Sequence, residues 1–125
     1  MKLSDLIDGD VFVDDALRTM YATDASAYRE MPSAVVFPKS ESDLQKLINY
    51  ASGTGNNLIP RTAGTSLAGQ VVGKGIIVDQ SRYFTEILEL NEDEKWVRVQ
   101  AGVVRNELNM FLDRKSTRLN SSHQI

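Results

Sequence analysis

Between residues 34 and 79 the chain alternates compact apolar runs with one capped amphipathic helix, and that alternation leaves few folds open. Ala34, Val35, Val36 and Phe37 form a β-prone run closed by Pro38, and Ser40, Ser42 and Asp43 then offer helix N-caps. Leu44, Leu47, Ile48 and Ala51 recur at i, i+3, i+4 and i+7, which predicts one apolar stripe on a helix that Gly53 or Gly55 stops. A short apolar run follows at 58–60 and another at 75–79, the latter unbroken as in a strand buried on both faces. Strand, helix and strand in that order make a βαβ unit, whose strands are parallel. After residue 81 the period becomes two, with Leu88 and Leu90 on one face, Val97 and Val99 on another, and a polar turn at 91–94 between them. The prediction is an α/β (α+β) chain, a small parallel βαβ sheet followed by an antiparallel hairpin. Val104, Leu108, Phe111 and Leu112 restart a helical spacing, while residues 1–30 read as an ordered, peripheral lead-in with a short helix around 15–21.

The second predicted strand runs into residues 60–70, PRTAGTSLAGQ, a glycine-dense loop with little bulk. Gly64, Gly69, Gly73 and Gly75 fall close together, Thr62, Thr65 and Ser66 carry hydroxyls, and Arg61 carries a guanidinium. In open α/β sheets ligands bind outside the carboxyl ends of the strands, where this loop begins. A P-loop would need lysine and a hydroxyl after the second glycine, where Gln70 and Val71 stand. The dinucleotide fingerprint fails as well, since Gly73-Lys-Gly75 is followed by Ile76, Ile77 and Val78. Two readings remain open on composition: a surface loop with turn glycines, or a nest of backbone N–H groups around a phosphate or diphosphate.

The bulk numbers exclude other classes. At 125 residues the chain supplies one modest core, and no run approaches the roughly 18 apolar residues of a membrane span. With no cysteine there is no disulfide, thiolate metal site or cysteine nucleophile. A net charge of −3 without a basic, aromatic-interleaved cluster argues against nucleic acid. The expected location is cytoplasmic, or peripheral to the inner face of the membrane.

Residues 113–125, DRKSTRLNSSHQI, lack period, cap and turn logic, and the string resembles the in-frame translation of a sequencing-library adapter. We expect a non-native tail there and an authentic sequence ending at Leu112. Without the tail's three basic residues and one acid, 11 Lys and Arg stand against 16 Asp and Glu, a net charge of −5. His123 is the one histidine and lies in that tail, so no catalytic residue and no metal ligand is assigned.

In order and spacing, residues 32–38, the capped helix, residues 59–70, residues 77–79 and residues 99–103 resemble the FAD-binding domain of the vanillyl-alcohol oxidase and p-cresol methylhydroxylase (PCMH) type. Within it the chain is most similar to the glycolate oxidase and D-lactate dehydrogenase branch. Ala63 stands where that branch usually has glycine, and Ala101 where proline is common. The resemblance implies that residues 31–112 are the first, partial subdomain of such a domain. It also implies FAD as cofactor, with its pyrophosphate wrapped by main-chain N–H groups of Thr62, Ala63, Gly64, Thr65 and Ser66. Leu67, Gln70 and Gly102 would lie near the cofactor, and Arg61 would support the diphosphate charge. The whole protein would oxidise a 2-hydroxy acid of the D-lactate or glycolate type and pass electrons to an acceptor, while this piece alone would be inactive. The alternative from another class is a small, non-catalytic phosphate- or nucleotide-binding module.

Other chemistry-bearing residues have plainer readings. Arginines in loops are more often solvated or paired, Asp79 more often caps a turn with Ser81 and Arg82 than meets a ribose, and Tyr28 reads as packing. Trp96 is expected half-buried on the hairpin, and Glu92, Asp93 and Glu94 form a solvated turn.

Overall fold

The computed structural model describes residues 2–26, 28–65, 69 and 72–115. The chain divides into two compact units, Met1–Tyr83 and Phe84–Ile125.

The first unit is built on a four-stranded sheet. Its elements in chain order are α1 (Leu3–Leu6), β1 (Asp10–Phe12), α2 (Asp15–Met20), β2 (Ala34–Phe37), α3 (Glu41–Thr54), β3 (Leu58–Arg61) and β4 (Ile76–Asp79). The strand order is β1-β2-β4-β3, with β2, β4 and β3 mutually parallel and β1 antiparallel on the edge. The expected parallel unit is present, but β2 and β3 are not neighbours, because β4 inserts between them. Composition explains the placement. Ile76, Ile77 and Val78 are buried on both faces, which suits a central strand, whereas β3 contains Pro60, which has no N–H to give to a second neighbour.

Alternation along the strands divides the core into two layers. On one face Ala34, Val36, Ile76 and Val78 pack with Ile7 and with Leu47 of α3; on the other, Val35, Phe37 and Ile77 meet Phe12, Leu17 and Tyr21. Ser40 caps α3 by accepting from the Asp43 N–H at 3.3 Å, and Gly55, in the left-handed region at φ 72°, ends it. Of the expected stripe, Leu47 and Ala51 are buried and Leu44 partly so, but Ile48 is 59% exposed. It borders an apolar groove of about 260 Å³ between α3 and the open edge of β3.

The lead-in is tied to the sheet by more than β1. Asp14 caps α2, the predicted short helix. Asp43, fully buried at the start of α3, accepts the backbone N–H groups of Asp8, Gly9 and Lys39 at 3.0, 2.9 and 3.0 Å. Burial pushes the Asp43 carboxyl up, yet these three donors outweigh it and hold the group below the usual carboxylate range. Asp10 accepts from Tyr83 Oη at 2.6 Å and from Arg82 at 3.0 Å, a second tie across the sheet edge.

The second unit holds the predicted hairpin, β5 (Ile87–Asn91) and β6 (Trp96–Val99), paired antiparallel with an irregularity between Ile87 and Glu89. Asn91 Oδ1 accepts the Glu94 N–H at 2.9 Å in the turn, and Lys95 takes φ 60° to close it. Trp96 is half-buried, with Arg98 5.6 Å over its ring. Helix α4 (Arg105–Arg114) buries Leu112 and leaves Val104, its N-cap, 55% exposed. It carries Asp113 and Arg114 of the expected tail; residues 116–125 lie outside the described residues.

Candidate functional site at the end of strand β3

Arg61 is the last residue of β3 and pairs in register with Asp79, the last of β4, so the glycine loop leaves the carboxyl end of the parallel sheet. The Gln80 N–H reaches the Arg61 carbonyl at 3.0 Å and closes this end of the pair. Thr62, Ala63 and Thr65 are exposed, and Gly64 adopts φ 70°. Among the described residues no acceptor meets the backbone N–H groups of Thr62, Ala63, Gly64 or Thr65. A left-handed residue is one of the two backbone conformations that an anion nest alternates. A Cβ at Gly64 would sit 2.9 Å from Cζ of the Arg61 guanidinium, so a side chain there would displace that group, and φ 70° is itself strained for any other residue.

The Arg61 side chain turns back under the loop. Its Nη1 donates to the Tyr21 carbonyl at 3.3 Å, and its Cζ lies 4.8 Å from the centre of the Tyr21 ring. The Tyr21 hydroxyl in turn donates to Asp79 Oδ2 at 2.5 Å, while Asp79 Oδ1 accepts from the Ser81 N–H at 2.8 Å and hydroxyl at 2.6 Å. Burial, followed by the Asp79 hydrogen bond, pushes the Tyr21 phenol well above its ordinary value, so it remains a donor. Asp79 is thus committed to Tyr21 and to the turn at Ser81.

A second segment packs on the loop from the lead-in. The Glu30 N–H to Ala22 carbonyl bond, 2.9 Å, and a Thr23 to Arg29 bridge close residues 22–30 into a loop of their own. From it the Ala25 N–H donates to the Gly64 carbonyl at 3.1 Å. Tyr28 is 61% exposed, yet its ring lies so close to Gly69, at φ 71°, that a Cβ there would be 2.7 Å from Cδ2. Asp24 Oδ1 accepts the Ser26 N–H at 2.8 Å and the Ser26 hydroxyl, which with the Arg61 charge holds the carboxyl below its usual range against the opposing effect of burial. Its Oδ2 is buried and has no hydrogen-bond partner among the described residues.

Of the residues singled out from the sequence, Arg61, Thr62, Ala63, Gly64 and Thr65 are brought together here. Ser66, Leu67 and Gln70 lie outside the described residues. Gly102 belongs to the second unit, buried in the turn after β6, where its N–H is taken by the Phe84 carbonyl at 2.7 Å. Tyr21 and Ala25 were not foreseen. Asp24 and Ser26 carry the Asp-x-Ser spacing of an Asx turn, but that local signal does not say which distant loop the turn will meet.

The arrangement suits a diphosphate. N–H groups that meet no acceptor among the described residues, a glycine in the left-handed region and a nearby guanidinium stand together at the strand end. Among the described residues no three His, Cys, Asp or Glu side chains gather as metal ligands, and no helix is long and apolar enough to cross a membrane.

Residues 32–124 match the family described as FAD binding domain. The D-2-hydroxyglutarate dehydrogenase of Haemophilus influenzae is 46% identical over 108 residues, covering 84% of this chain and 10% of that protein. The mitochondrial D-lactate dehydrogenase [cytochrome] of Kluyveromyces lactis is 33% identical over 88 residues, 67% of this chain and 15% of its own length. The fold is that of p-cresol methylhydroxylase, solved with substrate bound, at a TM-score of 0.73 and 15% identity over 92% of this chain and 24% of that one. The chain spans about a tenth of the length of the D-2-hydroxyglutarate dehydrogenase it matches. It belongs to the FAD binding domain family of the PCMH type, and its cofactor is FAD.

Proposed function

We propose that this chain is the first part of the FAD site of an enzyme that oxidises a 2-hydroxy acid, with D-2-hydroxyglutarate favoured over D-lactate or glycolate. The observation that carries the reading is the exposed turn from Thr62 to Thr65, whose N–H donors surround a left-handed Gly64 at the carboxyl end of β3. The higher identity to a D-2-hydroxyglutarate dehydrogenase, 46% against 33% to a D-lactate dehydrogenase, supports the order of substrates.

In this reading the main chain of Thr62, Ala63, Gly64 and Thr65 binds the FAD diphosphate and orients it across the strand end. Ser66, Leu67, Gln70 and Gly102 are carried along from the family resemblance as neighbours of the cofactor. The bound flavin supplies the redox chemistry by taking up two electrons from the hydroxy acid. This chain's residues contribute binding and orientation, and we assign none of them to proton abstraction. An electron acceptor and a cytoplasmic or membrane-peripheral location belong to the same proposal.

The test is a titration of the chain with FAD, ADP and riboflavin, followed by amide NMR. FAD and ADP, which share the diphosphate, are expected to shift Thr62, Ala63, Gly64 and Thr65, and riboflavin, which has no phosphate, to leave them in place. A folded chain whose loop amides ignore both diphosphates would remove the reading.

A further inference from the structure

We infer that Tyr21, Ala25 and Tyr28 act as a clasp that pre-forms the diphosphate loop at Gly64 and Gly69, and that Arg61 is a positioning residue, holding the loop through Tyr21. Its guanidinium is already engaged before any ligand arrives, by the Tyr21 carbonyl at 3.3 Å and the Tyr21 ring at 4.8 Å. The same guanidinium packs against Gly64, within 2.9 Å of where a Cβ would stand, so Arg61 lies directly on the left-handed turn. From the opposite side the Ala25 N–H holds the Gly64 carbonyl at 3.1 Å, and the Tyr28 ring closes on Gly69. Two of the loop's glycines are therefore pinned by one segment, and that segment precedes residues 32–124, the part that matches the family. Tyr21 is itself fixed by Asp79 at 2.5 Å, which anchors the clasp to the central strand.

The physical gain is pre-organisation. A glycine-rich loop has more backbone freedom to lose on binding than other segments, and fixing it in advance removes that cost from the binding step. The inference rests on the reading of this loop as the diphosphate site for its ligand, although the clasp itself exists without one.

The experiment separates the two. In the ligand-free 125-residue chain, hydrogen exchange and heteronuclear NOE are recorded for the amides of Gly64, Thr65 and Gly69 in the wild type, Arg61→Met, Arg61→Lys and Tyr21→Leu, with Arg98→Met as a control in the hairpin. FAD affinity is then measured for each and for the Arg61→Met, Tyr21→Leu double variant. Loss of order at Gly64 and Thr65 in Arg61→Met is expected, with an intermediate effect in Arg61→Lys, which keeps the charge but not the planar fork. FAD binding should weaken about tenfold in Arg61→Met, and the double variant should lose less than the product of the two single losses, since the ring contact is lost in both while the bond to the Tyr21 carbonyl is lost only with Arg61. Undisturbed loop amides in both Arg61 variants overturn the clasp. So does a double variant whose losses multiply, which would place Arg61 on the diphosphate directly. Ordered loop amides that do not respond to FAD in the wild type would leave the clasp standing and remove the diphosphate reading instead. Should Tyr21→Leu fail to fold, Arg61→Lys and Arg61→Met still decide through the ligand-free loop.

Discussion

The two units of this chain are built from strands of similar length but by opposite means. In the first, every residue of β2 and β4 is buried and the pairing partners lie far apart in sequence, Val35 with Ile77 and Ile59 with Ile77. In the second, β5 and β6 are sequence neighbours joined by a short turn, and Leu88 and Val99 remain exposed. A sheet covered on both faces draws its stability from layers that all must be present, whereas a hairpin forms locally and gains little from burial. The glycine loop hangs from the first kind of structure, leaving the sheet at Arg61, the last residue of the β3 edge.

The largest test of this contrast is Ile77→Ala. Removing a fully buried central side chain should cost about 3–4 kcal/mol and melt the whole sheet unit, seen as a lowered thermal midpoint, while hairpin amides of Leu90 and Val97 keep their shifts. Simultaneous loss of the hairpin signals would show that the two units unfold as one.

Asp43→Asn comes next, because all three N–H donors around the carboxylate would lose a charged acceptor and at least one of them would face the amide NH2 instead. We expect about 2 kcal/mol of destabilisation at neutral pH by denaturant titration. The pH dependence has a definite sign. The folded carboxyl is held below its unfolded value, near 3.9, so its contribution is full above that value and lost as pH falls through the lower folded one. The wild type should therefore lose its advantage over Asp43→Asn in acid; a constant difference down to low pH would mean the carboxylate charge is not what ties Asp8, Gly9 and Lys39 together.

Gly64→Ala should cost about 1 kcal/mol in stability, since φ 70° is strained for alanine, and weaken the loop response to FAD because its Cβ displaces the Arg61 guanidinium. Smallest is Glu89→Gln, which opens the exposed 3.0 Å pair with Arg98 on the hairpin. A change of at most about 0.5 kcal/mol is expected by the same thermal melt. A larger effect there would mean the hairpin is not the weakly buried, locally held structure described above.

The difference between the units also decided what could be read in advance. The hairpin was legible because period-two spacing over 87–99 and the polar turn are local, and so was α3, whose Ser40 cap and Gly55 stop act within a few residues. Strand identity in the sheet was legible from the unbroken apolar runs, but not strand order, because β4's insertion between β2 and β3 depends on comparing the burial of three strands at once. The attachment of β1 was missed for the same reason. Its anchor is Asp43, which reads as a helix-start residue and is used to bind backbone 35 residues away.

By itself the sequence determined the elements from residue 34 onward and the short helix before them, the glycine loop and the exclusion of lysine-bearing and Rossmann phosphate motifs, but not α1 or β1, since backbone freedom, caps and side-chain period act within a turn or two of chain. Tertiary structure alone decided that Arg61 faces Tyr21, that Ala25 holds Gly64 and that Tyr28 closes on Gly69. Those contacts join residues some 40 positions apart, and no local preference specifies them. They follow from the sheet, which brings the lead-in and the end of β3 to the same place.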